Sequence, residues 1–193
     1  NASRLLKLID ELLDLSRLDA GGLRLNISDV ELGVLAGSIV EGMRLTAEAK
    51  GVALHFEAGR VPAGVFGDAH RLEIVLTNLV GNALKFTQAG GRIDVRVGQD
   101  ETSAWIDVVD TGPGIAKDDL SRVFERFFQA SSGAKQRRPG GVGIGLALAK
   151  ELAELHEGSL TVESELGRGT RFRLRLQKGR GHFRPEVVER RQR

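Results

Sequence analysis

The sequence predicts an α+β fold, a two-layer sandwich in which helices cover one face of a mixed β-sheet. Helical and strand-like segments follow in the order helix, helix, strand, helix, strand, strand, helix, strand, strand. Three of the strands have one polar side each, which argues against helices on both faces of the sheet. The 193 residues, 41% of them hydrophobic, supply enough apolar side chains for one core beside a smaller appendage.

The first helix is predicted at residues 3–19 and has the character of a coiled coil. Its apolar residues form one stripe with a spacing of roughly 3.5 residues: they include Leu5, Leu8, Ile9, Leu12, Leu15 and Leu18. Gly21 and Gly22 then end the helix. Because no second helix follows directly, we expect the stripe to pack on a helix upstream or on another chain. Packing of the helix on its own domain is the alternative.

The next three elements are predicted from caps and alternation. Residues 28–31 have the pattern of a capping box and predict a second helix that runs from there to about Lys50. The apolar residues of 51–58 alternate with polar ones as in a strand. A third helix is predicted over 68–86, with Asp68 as its N-cap.

The second half of the chain contains strands and short helices. Apolar residues alternate with polar ones in four further segments, which we expect to be strands: 92–98, 103–110, 159–165 and 170–177. Helical spacing predicts two further helices, at 119–128 and at about 143–156.

The basic charge of the chain is concentrated at its end. Residues 178–193 hold six of the 28 Lys and Arg residues but two of the 26 Asp and Glu residues, so residues 1–177 have a net charge of −2. We therefore expect a basic, disordered tail and no nucleic-acid partner. The lack of cysteine excludes disulfides and thiolate chemistry, and no stretch is apolar over the ~20 residues of a membrane span.

Polar side chains on one face of the third helix form the first candidate site. Asn78 and Asn82 are four residues apart and therefore lie on the same face, and Lys85 follows three residues later. Burying such groups is costly unless a partner bonds them. An amide oxygen can ligate Mg²⁺ and a lysine can contact a phosphate, although an ordinary polar helix edge would have the same pattern.

Three glycine-rich turns supply the other candidate residues. Residues 110–115 follow a strand and place one carboxylate where it could accept a hydrogen bond from an exocyclic amine, or form an ordinary turn. Residues 140–146 lead into a helix, where backbone N–H groups can approach a polyphosphate. The lysine of a P-loop and the preceding strand of a dinucleotide fingerprint are both missing. Residues 167–170 by themselves predict a hairpin turn.

In this order the four patterns resemble those of the catalytic and ATP-binding domain of two-component sensor histidine kinases. That domain belongs to the ATPase superfamily, called GHKL or Bergerat, that DNA gyrase, a heat-shock chaperone and mismatch-repair proteins share. The resemblance covers about residues 3–177. NLVGNALKFT is similar to the N box, DTGPGI to the first glycine box, FERFF to the F box, GGVGIGLALAK to the second glycine box and GRGT to the third.

The resemblance implies a role for each matching residue. Asn82 matches the ligand of a Mg²⁺ ion that bridges the phosphates, and Asn78 lies near the reacting phosphate. Lys85 matches a phosphate-contacting lysine, and Asp110 matches the aspartate that binds adenine. The other residues expected at the nucleotide are Phe86, Gly112, Gly114, Ile115, Phe127, Gly141, Val142, Gly143, Ile144, Gly145, Leu146 and Thr170.

The resemblance also implies a lid over the phosphates. Residues 129–140 resemble the ATP lid, and their glycine and serine residues would let it move when no nucleotide is bound. The basic residues that could meet the γ-phosphate are Lys135, Arg137 and Arg138. A flexible basic loop without this role is the alternative. Phe124 and Phe127 match the F box, which packs the base of the lid.

The resemblance implies a kinase and not a hydrolase. Hydrolytic relatives have Glu where this chain has Asn78, and an amide cannot act as the general base that activates water. The expected reaction is transfer of the ATP γ-phosphate to a protein histidine, and onward to an aspartate of a response regulator. We expect the accepting histidine on a preceding helix, because none of the four histidines present has its sequence context: they are His55, His70, His156 and His182.

The implied organisation has three parts. Residues 1–22 resemble the second helix of the hairpin for dimerisation and histidine phosphotransfer, residues 23–177 the ATP-binding domain, and residues 178–193 are the tail. We expect a homodimer through the first helix, ATP and Mg²⁺ as cofactors, and a cytoplasmic location. Two alternatives stay open. One is a degenerate nucleotide-binding regulator that transfers no phosphate. The other is a serine-kinase anti-sigma factor, against which the leucine stripe argues.

Overall fold

The computed structural model describes residues 2–129, 142–185 and 187–188, which form five helices and seven strands. The helices are α1 (Ala2–Asp19), α2 (Leu32–Lys50), α3 (Ala69–Phe86), α4 (Lys117–Leu120) and α5 (Gly145–Leu155). The strands are β1 (Ser28–Glu31), β2 (Ala53–Glu57), β3 (Gly64–Gly67), β4 (Arg92–Gln99), β5 (Ser103–Asp110), β6 (Ser159–Glu165) and β7 (Gly169–Gln177). None of the described helices is both long and apolar enough to cross a membrane.

The main sheet is mixed and has five strands in the order β2-β4-β5-β7-β6. Strand β2 runs parallel to β4, and all other neighbours are antiparallel. Buried side chains of adjacent strands are paired on one face of the sheet. Val95 of β4 lies beside Val108 of β5, and Ile106 of β5 lies beside Leu174 of β7. Helices α2, α3 and α5 pack against the sheet. The predicted α+β fold with a mixed sheet is therefore confirmed.

The start of α2 differs from the prediction. Residues 28–31 form strand β1, in which Val30 is buried, and they pair with β3, a strand that the sequence did not indicate. The capping function moves to Glu31, whose carboxylate accepts the backbone N–H groups of Gly33 at 3.0 Å and Val34 at 2.6 Å. The predicted helix start is wrong because pairing with β3 satisfies the backbone of these residues better than a helical turn would.

Two helices are shorter than predicted. Between residues 119 and 128 only the first residues are helical, since α4 ends at Leu120 and turns follow. Phe127 has a φ of 64°, which no α-helix allows, and its N–H donates to the carbonyl oxygen of Gly143 at 2.9 Å. Gly143 itself has a φ of 79°, so α5 begins at Gly145 and not at residue 143.

The segment after β7 packs on the core. The predicted disorder is therefore wrong for the part of residues 178–193 that the structure describes. The N–H of Leu25 donates to the carbonyl oxygen of Val187 at 2.7 Å, and the ring of Phe183 meets the ring of His156 edge-on. Both Leu25 and His156 are fully buried. The few apolar residues of this segment gain burial against them, and that gain holds a segment whose composition is otherwise charged.

Helix α1 has two different faces. One face packs on the rest of the chain through the buried Leu15 and through two ion pairs, Asp14 with Arg71 at 2.7 Å and Asp19 with Arg126 at 2.6 Å. The other face exposes large apolar side chains: Leu5, Leu6, Ile9, Leu12 and Leu13. One face of α1 therefore packs on its own domain, as the alternative predicted. The exposed face is the one on which the expected partner helix would pack.

Candidate nucleotide-binding site

Helix α3 carries the two asparagines and is fixed by its cap and its buried face. The Asp68 carboxylate accepts the backbone N–H of Arg71 at 3.1 Å, which confirms the predicted N-cap. Leu72, Leu76 and Leu79 are fully buried and anchor the helix in the core. The helix therefore presents its polar residues from a rigid support.

Asn78 is buried where α3 meets α5. Its Nδ2 donates to the carbonyl oxygen of Ile74 at 3.1 Å, and its Oδ1 faces the first residue of α5. A Cβ at Gly145 would lie 2.5 Å from this oxygen, so a larger residue there would displace Asn78. The second glycine box thereby brings the start of α5 directly against the N-box helix.

The last turns of α3 carry three predicted site residues. Asn82 is half-buried. The Nζ of Lys85 lies 4.6 Å from the centre of the ring of Phe86, and Phe86 is 52% exposed. An amide oxygen, an ammonium group and an aromatic face thus follow one another at one end of the helix. Such groups suit a magnesium ion, a phosphate and a planar base, respectively.

Asp110 ends β5, and the first glycine box folds around its carboxylate. The residue is 7% exposed, and its Oδ1 accepts the backbone N–H of Gly112 at 2.8 Å. Burial raises the pKa of this carboxyl, although hydrogen bonds from the backbone of Gly112 and Thr170 act in the other direction. Among the described residues, no lysine or arginine forms an ion pair with Asp110.

The first and third glycine boxes are in backbone contact. Gly167 donates its N–H to the carbonyl oxygen of Pro113 at 2.7 Å. Gly114 and Gly169 have φ angles of 71° and 120°, and each approaches a neighbouring backbone so closely that a Cβ would not fit. The hairpin turn that the sequence predicts before β7 therefore also holds the loop that follows β5.

Ser164 is a residue of this region that none of the sequence motifs indicated. Its hydroxyl accepts the N–H of Ile115 at 2.8 Å, donates to the carbonyl oxygen of Gly169 at 2.7 Å and lies 2.9 Å from the Oγ1 of Thr170. It therefore links the first glycine box to the third. The sequence did contain a signal for Ser164. Side chains alternate along β6, and Ser164 is a polar residue on the side where Leu160 and Val162 are apolar.

The two ends of the predicted lid are joined at its base. Beside the hydrogen bond between Phe127 and Gly143, a Cβ at Gly143 would lie 2.7 Å from the carbonyl oxygen of Phe128, so this close approach requires glycine. Phe124 packs edge-on against Phe172 with ring centres 6.1 Å apart, whereas Phe127 is exposed. Phe124 therefore packs as expected of the F box, and a nucleotide contact of Phe127 stays a prediction.

The residues that flank the glycines of the second box differ in exposure. Ile144 is fully buried and Leu146 packs against the core, so their backbone is the part that could contact a nucleotide, while Val142 is exposed. Four predicted site residues lie outside the described residues, and their roles stay predictions: Lys135, Arg137, Arg138 and Gly141.

A magnesium ion at this site would depend on Asn82. The described residues contain no group of three or more His, Asp or Glu side chains that could hold a metal ion. Mg²⁺ is commonly held by one or two protein oxygens together with phosphate oxygens and water. One amide oxygen fits this donor set, so the site suits a magnesium–nucleotide complex and not a free metal ion.

His156 has a structural role in the core. Its Nε2 accepts the backbone N–H of Asp68 at 3.0 Å, and its Nδ1 then donates to the carbonyl oxygen of Leu152 at 2.7 Å. Burial lowers the pKa of the ring and keeps it neutral. Because both ring nitrogens are bonded to the backbone in the core, His156 is unsuited to accept a phosphate.

Comparison with known proteins identifies relatives over most of the chain. A family model described as histidine kinase-, DNA gyrase B-, and HSP90-like ATPase matches residues 67–180. The chain is 38% identical over 181 residues to hybrid signal transduction histidine kinase D of Dictyostelium discoideum. The matched region covers 91% of this chain but 12% of that protein, so the chain spans a small part of this relative's length.

Solved structures show the same relationship. Full-length ShkA in complex with AMPPNP is similar with a TM-score of 0.80 and 30% identity, over 92% of this chain and 36% of that one. Mycobacterial sensor histidine kinase MprB is similar with a TM-score of 0.69 and 30% identity, over 78% of this chain and 97% of that one. The chain therefore belongs to the histidine kinase-, DNA gyrase B-, and HSP90-like ATPase family and is a catalytic ATP-binding domain of the histidine kinase type.

Proposed function

We propose that this chain binds ATP with Mg²⁺ and transfers the γ-phosphate to a histidine on a helix that precedes α1 in a longer protein. One observation carries the proposal: groups suited to adenine, metal and phosphate, far apart in the sequence, converge on the C-terminal half of α3. The loop after Asp110 approaches the end of this helix through Gly112, and the start of α5 contacts it at Asn78.

Asp110 would bind the adenine base. Its carboxylate accepts two backbone N–H groups, from Gly112 and Thr170, whereas a carboxylate has about four lone-pair positions. The remaining positions can accept a hydrogen bond from the exocyclic amine of adenine. Guanine carries a carbonyl oxygen at the equivalent position, which would face the carboxylate unfavourably. We therefore expect the site to prefer adenine over guanine nucleotides.

The phosphates would lie at the start of α5. No side chain of the described residues caps the N-terminus of this helix, so its first N–H groups could bond phosphate oxygens. Asn82 would hold Mg²⁺, which would neutralise part of the phosphate charge when bound. Lys85 follows one turn later and can add a second positive charge on the same side of α3.

Asn78 supports transfer to a protein over hydrolysis. An amide has no basic lone pair near neutral pH, and the Nδ2 of Asn78 is already bonded to the backbone of α3. Water at this position would lack a general base. A neutral imidazole is itself a nucleophile, so a histidine brought to the γ-phosphate would not need such a base.

The exposed apolar face of α1 would pack against the preceding helix and against the hairpin of a second copy. Its five large apolar side chains, at Leu5, Leu6, Ile9, Leu12 and Leu13, are 44–61% exposed. An apolar stripe of this kind on one helix is typical of a helix-packing surface. A receiver domain of a response regulator would then take the phosphoryl group from the histidine of this hairpin.

The proposal is tested with labelled ATP, Mg²⁺, this chain and a separate hairpin that contains the acceptor histidine. The expected product is a label on the hairpin that is lost in acid and kept in alkali, as a phosphohistidine requires. Tight binding of ATP without any transfer would favour the alternative, a nucleotide-binding regulator.

Two asparagine variants test the site within the same assay. Asn82→Ala should abolish Mg²⁺-dependent transfer, because it removes the proposed protein ligand of the ion. Asn26→Ala is the matched control, since the side chain of Asn26 is exposed and lies outside the site. Transfer that survives Asn82→Ala would contradict the magnesium assignment.

A further inference from the structure

We propose that Lys50 is a positioning residue for the nucleotide site, whose ammonium group holds the C-terminal end of α3 in the geometry that binds nucleotide. The inference rests on the proposed function. Lys50 is the last residue of α2 and belongs to none of the five sequence boxes. It acts on the site through the backbone that carries Lys85 and Phe86.

The Lys50 side chain crosses from α2 to α3. Its Nζ donates to the carbonyl oxygen of Leu84 and, at 2.9 Å, to that of Lys85. The last four carbonyl groups of a helix have no partner within the helix, and a cation there also interacts favourably with the helix dipole. One ammonium group therefore satisfies two carbonyl groups in the last turn of the N-box helix.

Backbone contacts continue from Lys50 along the same seam, which joins residues 50–53 to residues 84–91. Gly51 ends α2 with a φ of 69°, which turns the chain toward the end of α3. Its carbonyl oxygen accepts the N–H of Gly90 at 2.7 Å. Lys50 thus supplies a side-chain bond at the end of this seam nearest to the nucleotide site.

The end of α3 that Lys50 holds also borders the loop that follows Asp110. A Cβ at Gly112 would lie 3.6 Å from the carbonyl carbon and oxygen of Phe86, so helix end and loop pack backbone to backbone. Phe86 is exposed, so the core does not fix its side chain. The position of this ring follows the backbone of the last turn of α3, which Lys50 links to α2.

Lys50→Met tests this role because it keeps an unbranched apolar stem and removes the donors. In the complete chain we expect the affinity for Mg-AMPPNP, measured by isothermal titration, to fall about tenfold, as for a lost hydrogen bond to a charged group. We also expect faster hydrogen exchange at Thr87, whose N–H donates to the carbonyl oxygen of Ala83 in the last turn of α3.

Lys178→Met is the matched control, because the Nζ of Lys178 also donates to a backbone carbonyl, that of Asp100 at 2.5 Å, at the other end of β5. It should leave the affinity unchanged. Lys50→Arg keeps a cation with several donors and should restore most of the binding. If Lys50→Met does not fold, Lys50→Gln, whose shorter amide reaches α3 less well, is measured in its place.

The outcomes separate this inference from the proposed function. If the unaltered chain binds Mg-AMPPNP and the folded Lys50→Met variant binds it equally well, the role of Lys50 is overturned and the proposed function stands. A lower unfolding midpoint with unchanged affinity has the same meaning, since it shows a structural role alone. If the unaltered chain binds no nucleotide, the proposed function and this inference both fail.

Discussion

Two aspartates on one strand show how a charge that stabilises the fold differs from one that can serve a ligand. Asp107 and Asp110 both belong to β5, and both are 7% exposed. Side chains alternate along a strand, so a separation of three places them on opposite faces of the sheet. Asp107 bonds Arg173 at 2.7 Å and Arg171 at 2.9 Å. Burial would raise its pKa, but these guanidinium groups outweigh burial and hold the pKa below its ordinary value.

Asp110 has the opposite environment at the same exposure. Backbone N–H groups bond its carboxylate, burial raises its pKa, and no described cation pairs with it. Burial therefore does not decide the role of a carboxylate; its partners do. Two arginines bond the carboxylate of Asp107, whereas the described partners of Asp110 are backbone N–H groups that leave acceptor positions for a ligand.

Asp110→Asn should have the largest effect on ligand binding. The substitution keeps the shape of the side chain but replaces one acceptor oxygen by a donor, so the adenine amine would face an N–H group. We expect the affinity for Mg-AMPPNP to fall roughly 10- to 100-fold, as for the loss of a hydrogen bond to a charged group. Isothermal titration measures this change, with Asp107→Asn as the control that binds normally. Equal losses in both variants would break the comparison.

Asp107→Asn should lower the stability of the fold and leave the affinity for nucleotide unchanged. It removes the carboxylate that Arg171 and Arg173 share, while Arg171 keeps its pair with the exposed Glu163 at 3.3 Å, and we expect the free energy of unfolding to fall by about 1–3 kcal/mol. Urea denaturation at neutral pH measures this change. If the variant is as stable as the unaltered chain, the arginine pairs do not contribute to the fold.

The pH dependence of stability should have opposite signs for the two residues. The lowered pKa of Asp107 gives stability that is present above the ordinary value of 3.8 and is lost as pH falls through the lower pKa of the folded state. The raised pKa of Asp110 destabilises the folded state as pH rises from 3.8 through its folded-state pKa.

Denaturation of the unaltered chain and both Asn variants, from neutral to strongly acidic pH, measures these signs. The advantage of the unaltered chain over Asp107→Asn should shrink on acidification, whereas its stability relative to Asp110→Asn should rise. The lowered pKa of His156 is common to all three proteins and cancels in these differences. Differences that change in the same direction would show that the two environments do not differ.

Arg175→Gln should have the smallest effect. Arg175 is on the same strand as the two partners of Asp107, but it is exposed and pairs with the exposed Asp100 at 2.8 Å. Because solvent screens such a pair, we expect a stability change below about 1 kcal/mol by urea denaturation. If Arg175→Gln lowers the free energy of unfolding as much as Asp107→Asn does, burial of the carboxylate does not explain the larger contribution of the Asp107 ion pairs to stability.

The sequence predicted the elements of the proposed nucleotide site better than the edges of the fold. Helix α3 has a capping aspartate, a regular apolar face and two asparagines four residues apart, and all of these are local signals. Strands β1 and β3 have four residues each, so alternation is too short to detect and their pairing decides the structure. The positive φ of Phe127 arises from contacts with the segment before α5 and has no local signal.

The difference between the two aspartates could not be predicted from the sequence. The arginines that pair with Asp107 are 64 and 66 residues away in the chain, and the register of β5 with β7 brings them together. The contact of Lys50 with the end of α3 likewise joins residues 34 and 35 positions apart. Motifs point to the residues proposed to contact the nucleotide, whereas tertiary pairing points to those proposed to position them.

The fate of the γ-phosphate in a single turnover tests the central claim most directly, namely that this site transfers phosphate to a histidine and lacks a base for hydrolysis. With labelled ATP, Mg²⁺ and the separate hairpin, the label should appear as phosphohistidine. Without the hairpin, release of inorganic phosphate should stay at the level of the Asn82→Ala variant. Release at the same rate with and without the hairpin, with no phosphohistidine formed, would contradict the account.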